Sequence, residues 1–211
     1  MISKELARIA AHICGDGYIG MSIVKRSKKE LIQHPRNNKL RKRWYVRYVN
    51  EEPVLIEQFV EDIKKEFNRK VVFCKKHEHE ISGKKIYSIL KMLGAGKSRE
   101  WFIADEILKS NKNTKVEWLK ALYDDEAYVS VKQKRIVLNM TNQNGLKQIK
   151  KLLNEFNINS TLKGPYKCKK FESYHLNIYR DSIKNYSDKI EFYHPKKKAA
   201  LNRIIHGSAA I

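Results

Sequence analysis

The chain is short of cysteine, of acid relative to base and of long apolar runs, and each shortage closes off a class of protein. Its three cysteines in 211 residues, Cys14, Cys74 and Cys168, lie far apart with no paired spacing, which argues against a disulfide framework and for a reducing compartment. No apolar run approaches the roughly 20 residues that a membrane span requires. The N-terminus, with Lys4, Glu5 and Arg8, lacks the layout of a signal peptide. An intracellular protein without a membrane partner is the expectation. Acids number 23 against 44 Lys and Arg, giving a net charge of +21. A thermophile surface would raise both signs together, so the imbalance points instead to a polyanion partner. A disordered basic tail is excluded by 42% hydrophobic residues and eleven tyrosines. The length suits one large domain or two fused halves.

Two halves echo each other. "LARIAAHICGDGYIG" (6–20) reads as a helix of small and apolar residues that stops on Gly15, Asp16 and Gly17. "NTKVEWLKALYDDEAYVSV" (113–131) follows the same plan, with Thr114 and Glu117 at capping-box spacing and a helix running into acids and then a strand. After each comes an alternating strand, "KRWYVRYVN" or "KRIVLNMTN". An amphipathic helix follows, carrying Leu55, Phe59, Ile63 and Phe67 or Leu146, Ile149, Leu153 and Phe156. The repeated "EFN" sets this internal repeat. Two further strands are expected per half: "KVVFCKK" and "KKIYSILKML", then "STLKGPYKCKK" and "SYHLNIYR". Helical tails are expected at "SREWFIADEILKS" and "DKIEFYHPKKKAALNRII". The first half also holds an extra basic loop, "VKRSKKELIQHPRNNKLRKRW". The reading is an α+β chain of two pseudo-symmetric αββαββα halves, 1–112 and 113–211, each with a four-stranded antiparallel sheet.

The small residues Ala7, Ala10, Ala11 and Cys14 would let the two helices approach closely, with Ala121 opposite. Asp16 and Glu126 would then lie side by side at the helix ends. Two such carboxylates repel, and a divalent cation relieves the repulsion. Oxygen ligands suit Mg²⁺, which commonly binds one or two carboxylates together with substrate phosphates. Cys74, His77 and His79 have metal-like spacing without an evident fourth ligand. "GAGKS" (94–98) lacks the full spacing of a phosphate loop and reads as a helix start.

In the outer faces of the strands, Arg43, Tyr45 and Arg47 alternate with inward Trp44, Val46 and Tyr48. Arg135, Val137, Asn139 and Thr141 alternate with Ile136, Leu138 and Met140, and His175, Asn177 and Tyr179 with Tyr174, Leu176 and Ile178. Arg, Asn, Thr and Tyr on one face suit base-edge readout in a DNA groove. Lys25, Arg41, Lys132, Lys134 and Lys163 extend this set toward phosphates. The lysines at 167, 169 and 170 and at 196–198 read as non-specific backbone contacts.

"IAAHICGDG" (9–17) and "LKALYDDEA" (119–127) resemble the paired motifs of the LAGLIDADG homing endonucleases, in the single-chain, archaeal-type form. The resemblance covers nearly the whole chain and implies DNA-binding saddles, with Asp16 and Glu126 as the catalytic acids and Gly15 and Asp125 as further metal contacts beside them. It also implies that Mn²⁺ substitutes for Mg²⁺ and that Ca²⁺ supports binding without cleavage. It further implies a monomer that hydrolyses both strands of a long asymmetric duplex site, leaving short 3′ overhangs. Asn50 or Glu51, and Asn142 or Gln143, fall where such enzymes carry polar residues near the scissile phosphates. The chain departs from the pattern at Ala127, in place of the final glycine, and at His12 and Lys120. An RNA-splicing maturase or an inactive DNA- or RNA-binding relative is the alternative reading. Intron origin is favoured over intein origin by the apparent Met start.

Overall fold

The computed structural model describes residues 2–33, 39–168 and 171–207. The first motif helix, α1 (Lys4–Cys14), is capped by Ser3, whose hydroxyl accepts from the Leu6 N–H. It runs into β1 (Gly17–Lys25), the short α2 (Lys28–Gln33), β2 (Leu40–Val49), α3 (Pro53–Phe67), β3 (Val72–Lys75) and β4 (Glu78–Ser82). Next come α4 (Lys84–Met92) and α5 (Asp105–Leu108). The second motif helix, α6 (Lys112–Glu126), leads into β5 (Ala127–Ser130), β6 (Arg135–Met140), α7 (Gln143–Asn154), β7 (Ser160–Cys168) and β8 (Phe171–Tyr179). The described chain then continues through α8 (Arg180–Lys189) and α9 (Pro195–His206).

The sheets have one topology used twice. Their strand orders are β1-β2-β4-β3 and β5-β6-β8-β7, with every pairing antiparallel. This is the expected α+β repeat, and a single apolar core runs through residues of both halves. Phe59, Ile63, Leu146, Ile149 and Leu153 are enclosed as their helical spacing requires. Each such side chain contributes about 1.5–3 kcal/mol by leaving water. The helices α1 and α6 pack along their small residues: Ala7, Ala10, Ala11, Cys14 and Ala121 are all buried.

Some expectations are corrected. "KKIYSILKML" is the helix α4, not a strand, because Ile86 and Leu90 recur at four-residue spacing and both turn inward. The fourth strand is instead the polar "EHEIS", β4. The α6 N-cap is Asn111, whose side chain accepts from Thr114 N at 2.9 Å, so the Thr114–Glu117 capping box does not form. Glu117 turns instead to Arg8, and α6 begins at Lys112. "GAGKS" starts no helix; Gly94 stands at φ +101 just beyond α4, where a Cβ would strike the Phe102 carbonyl oxygen. The tail around 98–110 holds only the one-turn α5. Part of the basic loop is β1 and α2, and its residues 34–38 lie outside those described, as do Lys169 and Lys170. Among the described residues no helix is long and apolar enough to cross a membrane.

Candidate active site

Asp16 sits where α1 hands over to β1. The Gly15 N–H closes the last turn on Ala11 O, and Val49 N–H donates to Asp16 O at 3.0 Å, so the end of β2 fixes the backbone of the acid. Glu126 is the last residue of α6, and β5 begins at the next position. The two helix ends touch: a Cβ built on Gly15 would lie 3.0 Å from Asp125 Cβ and 3.3 Å from Glu126 Cγ. A side chain there would have to push Asp125 and Glu126 aside by a few tenths of an ångström. Gly17 is tighter still, since its Cβ would be 2.6 Å from Ile13 Cα. Ala127, the departure from the second motif, needs no glycine: its backbone is extended at φ −89 and ψ 153, and its N–H bonds Tyr123 O.

Burial raises the Asp16 carboxyl to about 6, with the charge of Asp125 adding to it. Burial likewise raises Glu126 to about 7, with Asp16 and Asp125 contributing. Two oxygen donors that resist ionisation in each other's field suit a hard divalent cation. Among the described residues no group of three or more His, Cys, Asp or Glu converges as a ready metal cage. Ligands from a bound phosphate would therefore have to complete the shell. Cys74 is exposed on β3, His79 packs its ring on Phe73 and His77 faces Glu51 at 3.3 Å.

Asp125, expected as a metal contact, has its carboxylate engaged by three side chains. Its side chain is enclosed and bonded on both oxygens: Tyr48 OH donates to Oδ1 at 2.8 Å, Asn50 Nδ2 to Oδ1 at 3.3 Å, and His12 Nδ1 lies 2.9 Å from Oδ2. Burial opposes a charge on His12, but the facing Asp125 outweighs it and raises the imidazole pKa. Asn50 also donates to Asp16 Oδ2 at 3.1 Å, while Glu51 is exposed and faces His77. By strand register the second-half counterpart of Asn50 is Met140, which has no side-chain amide to donate. Asn142 is buried as the N-cap of α7 and gives its amide to Trp101 O at 2.5 Å, so it does not border the acid; Gln143 opens α7 beside it.

Asp16 opens on a cavity of about 570 Å³ lined by Asn50, Lys76, His77, His194, Lys196 and Lys197 among others. Glu126 opens on a smaller one of about 180 Å³, with Ser98, Trp101, Asn139 and Thr141. Lys197, read from sequence as a loose backbone contact, is drawn inward from α9. Its ammonium donates to Tyr123 O at 3.3 Å, Asp125 O at 3.2 Å and Asp124 O. A cation thus closes the carbonyl end of α6. Burial lowers its pKa against the pull of four carboxylates. Asp124 completes the clamp by accepting from Tyr193 N and His194 N at 3.0–3.1 Å. The lysine triplet and the paired acids were visible in the sequence, but nothing in their spacing showed these partners.

The outer faces are unlike. On the first sheet, Arg41, Arg43, Tyr45 and Arg47 share one side, as alternation required. Glu80, almost fully buried, takes Arg43 and Arg47 together, and Arg47 also donates to Tyr18 OH at 2.7 Å. Lys25 pairs with Leu40 and so falls on the opposite side of the sheet in register from Arg41. On the second sheet Asn139 and Lys163 are exposed, His175 packs on Tyr166 and Thr141 donates to Ser98 O. Lys132 and Lys134 are exposed in the β5–β6 turn. Val137 and Asn177, expected outside, are buried; Asn177 accepts from Arg135 at 3.1 Å and donates to backbone carbonyls. Asn177 is therefore a support for Arg135 and not an open contact.

Residues 113–191 match the model of the LAGLIDADG-like domain. The chain is a LAGLIDADG-fold protein. No curated protein matches it significantly in sequence. Among solved structures it is similar to I-DmoI in complex with DNA and Ca, at 22% identity, covering 95% of this chain and 97% of that one with a TM-score of 0.63. It is also similar to the I-LtrWI LAGLIDADG homing endonuclease bound to target DNA, at 13% identity, 97% and 91% coverage and a TM-score of 0.53. Full-length DUF199/WhiA from Thermatoga maritima matches all of this chain at 13% identity and a TM-score of 0.54, with 63% of that longer chain covered. The LAGLIDADG fold thus accounts for both sheets and for the paired helices that present Asp16 and Glu126.

Proposed function

We propose that this chain is a divalent-metal-dependent homing endonuclease that cuts both strands of a long asymmetric DNA site. The observation that carries the reading is the contact of the two motif helices, which brings one carboxylate from each half to their shared end. Supporting it are the +21 charge and the arginines and polar side chains on the sheets' outer faces, which suit phosphates and base edges. I-DmoI, a homing endonuclease of similar fold, is known with DNA and with Ca or Mn. The chain acts as a monomer, its halves 1–112 and 113–211 each covering part of the site.

Asp16 and Glu126 would hold the cation, Mg²⁺ with Mn²⁺ as substitute. A bound cation supplies polarisation of the phosphodiester and a more acidic water. The chain's own groups do the rest. Asp16 and Glu126 position oxygen donors toward the DNA, and Asn50 holds the Asp16 carboxylate. Lys197 adds positive potential to the Asp16 cavity while its hydrogens remain on the α6 carbonyls. The test is cleavage of a randomised duplex library in Mg²⁺, with Ca²⁺ in parallel and folded RNA as competitor. Double-strand cuts at one sequence in Mg²⁺, and binding without cuts in Ca²⁺, are expected. Tight binding of folded RNA with no cut in any metal would overturn the reading in favour of a maturase or a binding-only relative.

A further inference from the structure

The buried Asp125 carboxylate is the least explained charge in the molecule. It stands one residue before Glu126, yet its side chain has no exposure, and its three partners come from α1, from β2 and from the residue just beyond β2. The matched position in the first motif is Gly15, which offers no side chain in return. We propose that Asp125 is a positioning residue: from the second half it anchors Asn50, and through Asn50 it fixes the orientation of Asp16 in the first half. This rests on the endonuclease reading for its consequence, but its geometry does not.

The path is short. Asn50 Nδ2 points its two hydrogens at Asp16 Oδ2 and Asp125 Oδ1, 3.1 and 3.3 Å away. Asn50 Oδ1 accepts from Glu52 N at 2.9 Å, which fixes which end of the amide faces the acids. Asp125 Oδ1 is in turn held by Tyr48 OH, and Oδ2 by His12. Those groups are themselves packed: the His12 ring lies 4.8 Å from Tyr48 and 6.1 Å from Phe59. Among the described residues Glu126 accepts no hydrogen bond, so the arrangement serves one acid only. A second-half residue thereby supports the first-half acid, and among the described residues no first-half side chain bonds Glu126 in return.

The experiment compares Asp125→Ala, Asn50→Ala and the two combined. Because Asp125→Ala alone strands His12 in the core, His12→Leu with Asp125→Ala is included; exchanging both members of a buried ion pair for apolar residues is often neutral for folding. Ca²⁺ affinity is read by thermal shift, which requires no turnover. Each single variant is expected to weaken the Ca²⁺ midpoint about tenfold, the usual scale for losing an outer support of a ligand. The Asp125→Ala/Asn50→Ala double variant is expected to be no worse than either single one. With separately labelled strands, the slowed strand is expected to be the one that Asp16→Asn slows. An unchanged midpoint, additive losses, or equal slowing of both strands in the folded His12→Leu/Asp125→Ala protein would overturn the proposal. If the wild type cuts neither strand, the endonuclease reading fails, and the calcium midpoints still decide the role of Asp125.

Discussion

Asp16 and Glu126 occupy matching places in a duplicated fold but stand in unlike surroundings. Asp16 borders a roomy cavity and is held by an amide, with an ammonium nearby. Glu126 borders a smaller cavity and accepts no hydrogen bond among the described residues. The difference traces to two exchanges between halves: Gly15 against Asp125, and Asn50 against Met140, the latter two each standing two residues beyond the strand position that pairs with the end of its motif. Duplication supplied the backbone twice, and side-chain changes then made one site depend on the other half. A symmetric pair of helices can therefore carry an asymmetric pair of sites.

Losing either acid should have the largest effect. Asp16→Asn and Glu126→Gln are each expected to slow double-strand cleavage by about 100-fold or more, roughly 3 kcal/mol of barrier, while Ca²⁺-supported DNA binding measured by gel shift stays within about twofold. The final residues of the motifs separate the halves next. Gly17→Ala must push against the Ile13 backbone and should cost about 1–3 kcal/mol, whereas Ala127→Gly gives up no required geometry and should cost about 1 kcal/mol or less; urea unfolding measures both.

Smaller still is the pH response of the metal-free fold. Asp16, Asp124 and Glu126 have folded pKa values of about 6, 6 and 7, each raised first by burial. As pH rises from about 4 the unfolded chain loses these protons before the folded one, so these groups lower stability progressively up to about pH 7. Melting temperature should fall over that window, and saturating Ca²⁺ should flatten the fall by stabilising the ionised acids. The smallest effect is on the outer faces. Glu80→Gln frees Arg43 and Arg47 from a common partner, while Asn177→Ala removes the support of Arg135. Each should change DNA affinity by about threefold, on the scale of about one hydrogen bond or less, with the Glu80 change the more salt-dependent when measured by fluorescence anisotropy.

Periodicity made the motif helices, α3, α7 and the first two strands of each half legible, because each buries one regular stripe. The repeat and the two acids were legible for the same reason. β4 escaped because one of its faces carries Glu78 and Glu80, charges that make sense only with the Arg47 and Arg43 side chains that reach them. Helix α4 escaped because a short apolar run satisfies both periods until its neighbours are known. Alternation placed Asn177 on the right face but could not show that the centre of that face is covered. His12 looked like a departure from a motif, and Asp125 like one acid among three. Their pairing joins positions 113 residues apart, a distance at which no local pattern speaks.

The most direct test of the paired-acid account is the rate of cutting on each labelled strand of the selected duplex, for wild type, Asp16→Asn and Glu126→Gln in Mg²⁺. The account requires complementary losses, one strand slowed most by Asp16→Asn and the other by Glu126→Gln, with binding intact. Loss of the same strand in both variants, or wild-type rates in either, would contradict it.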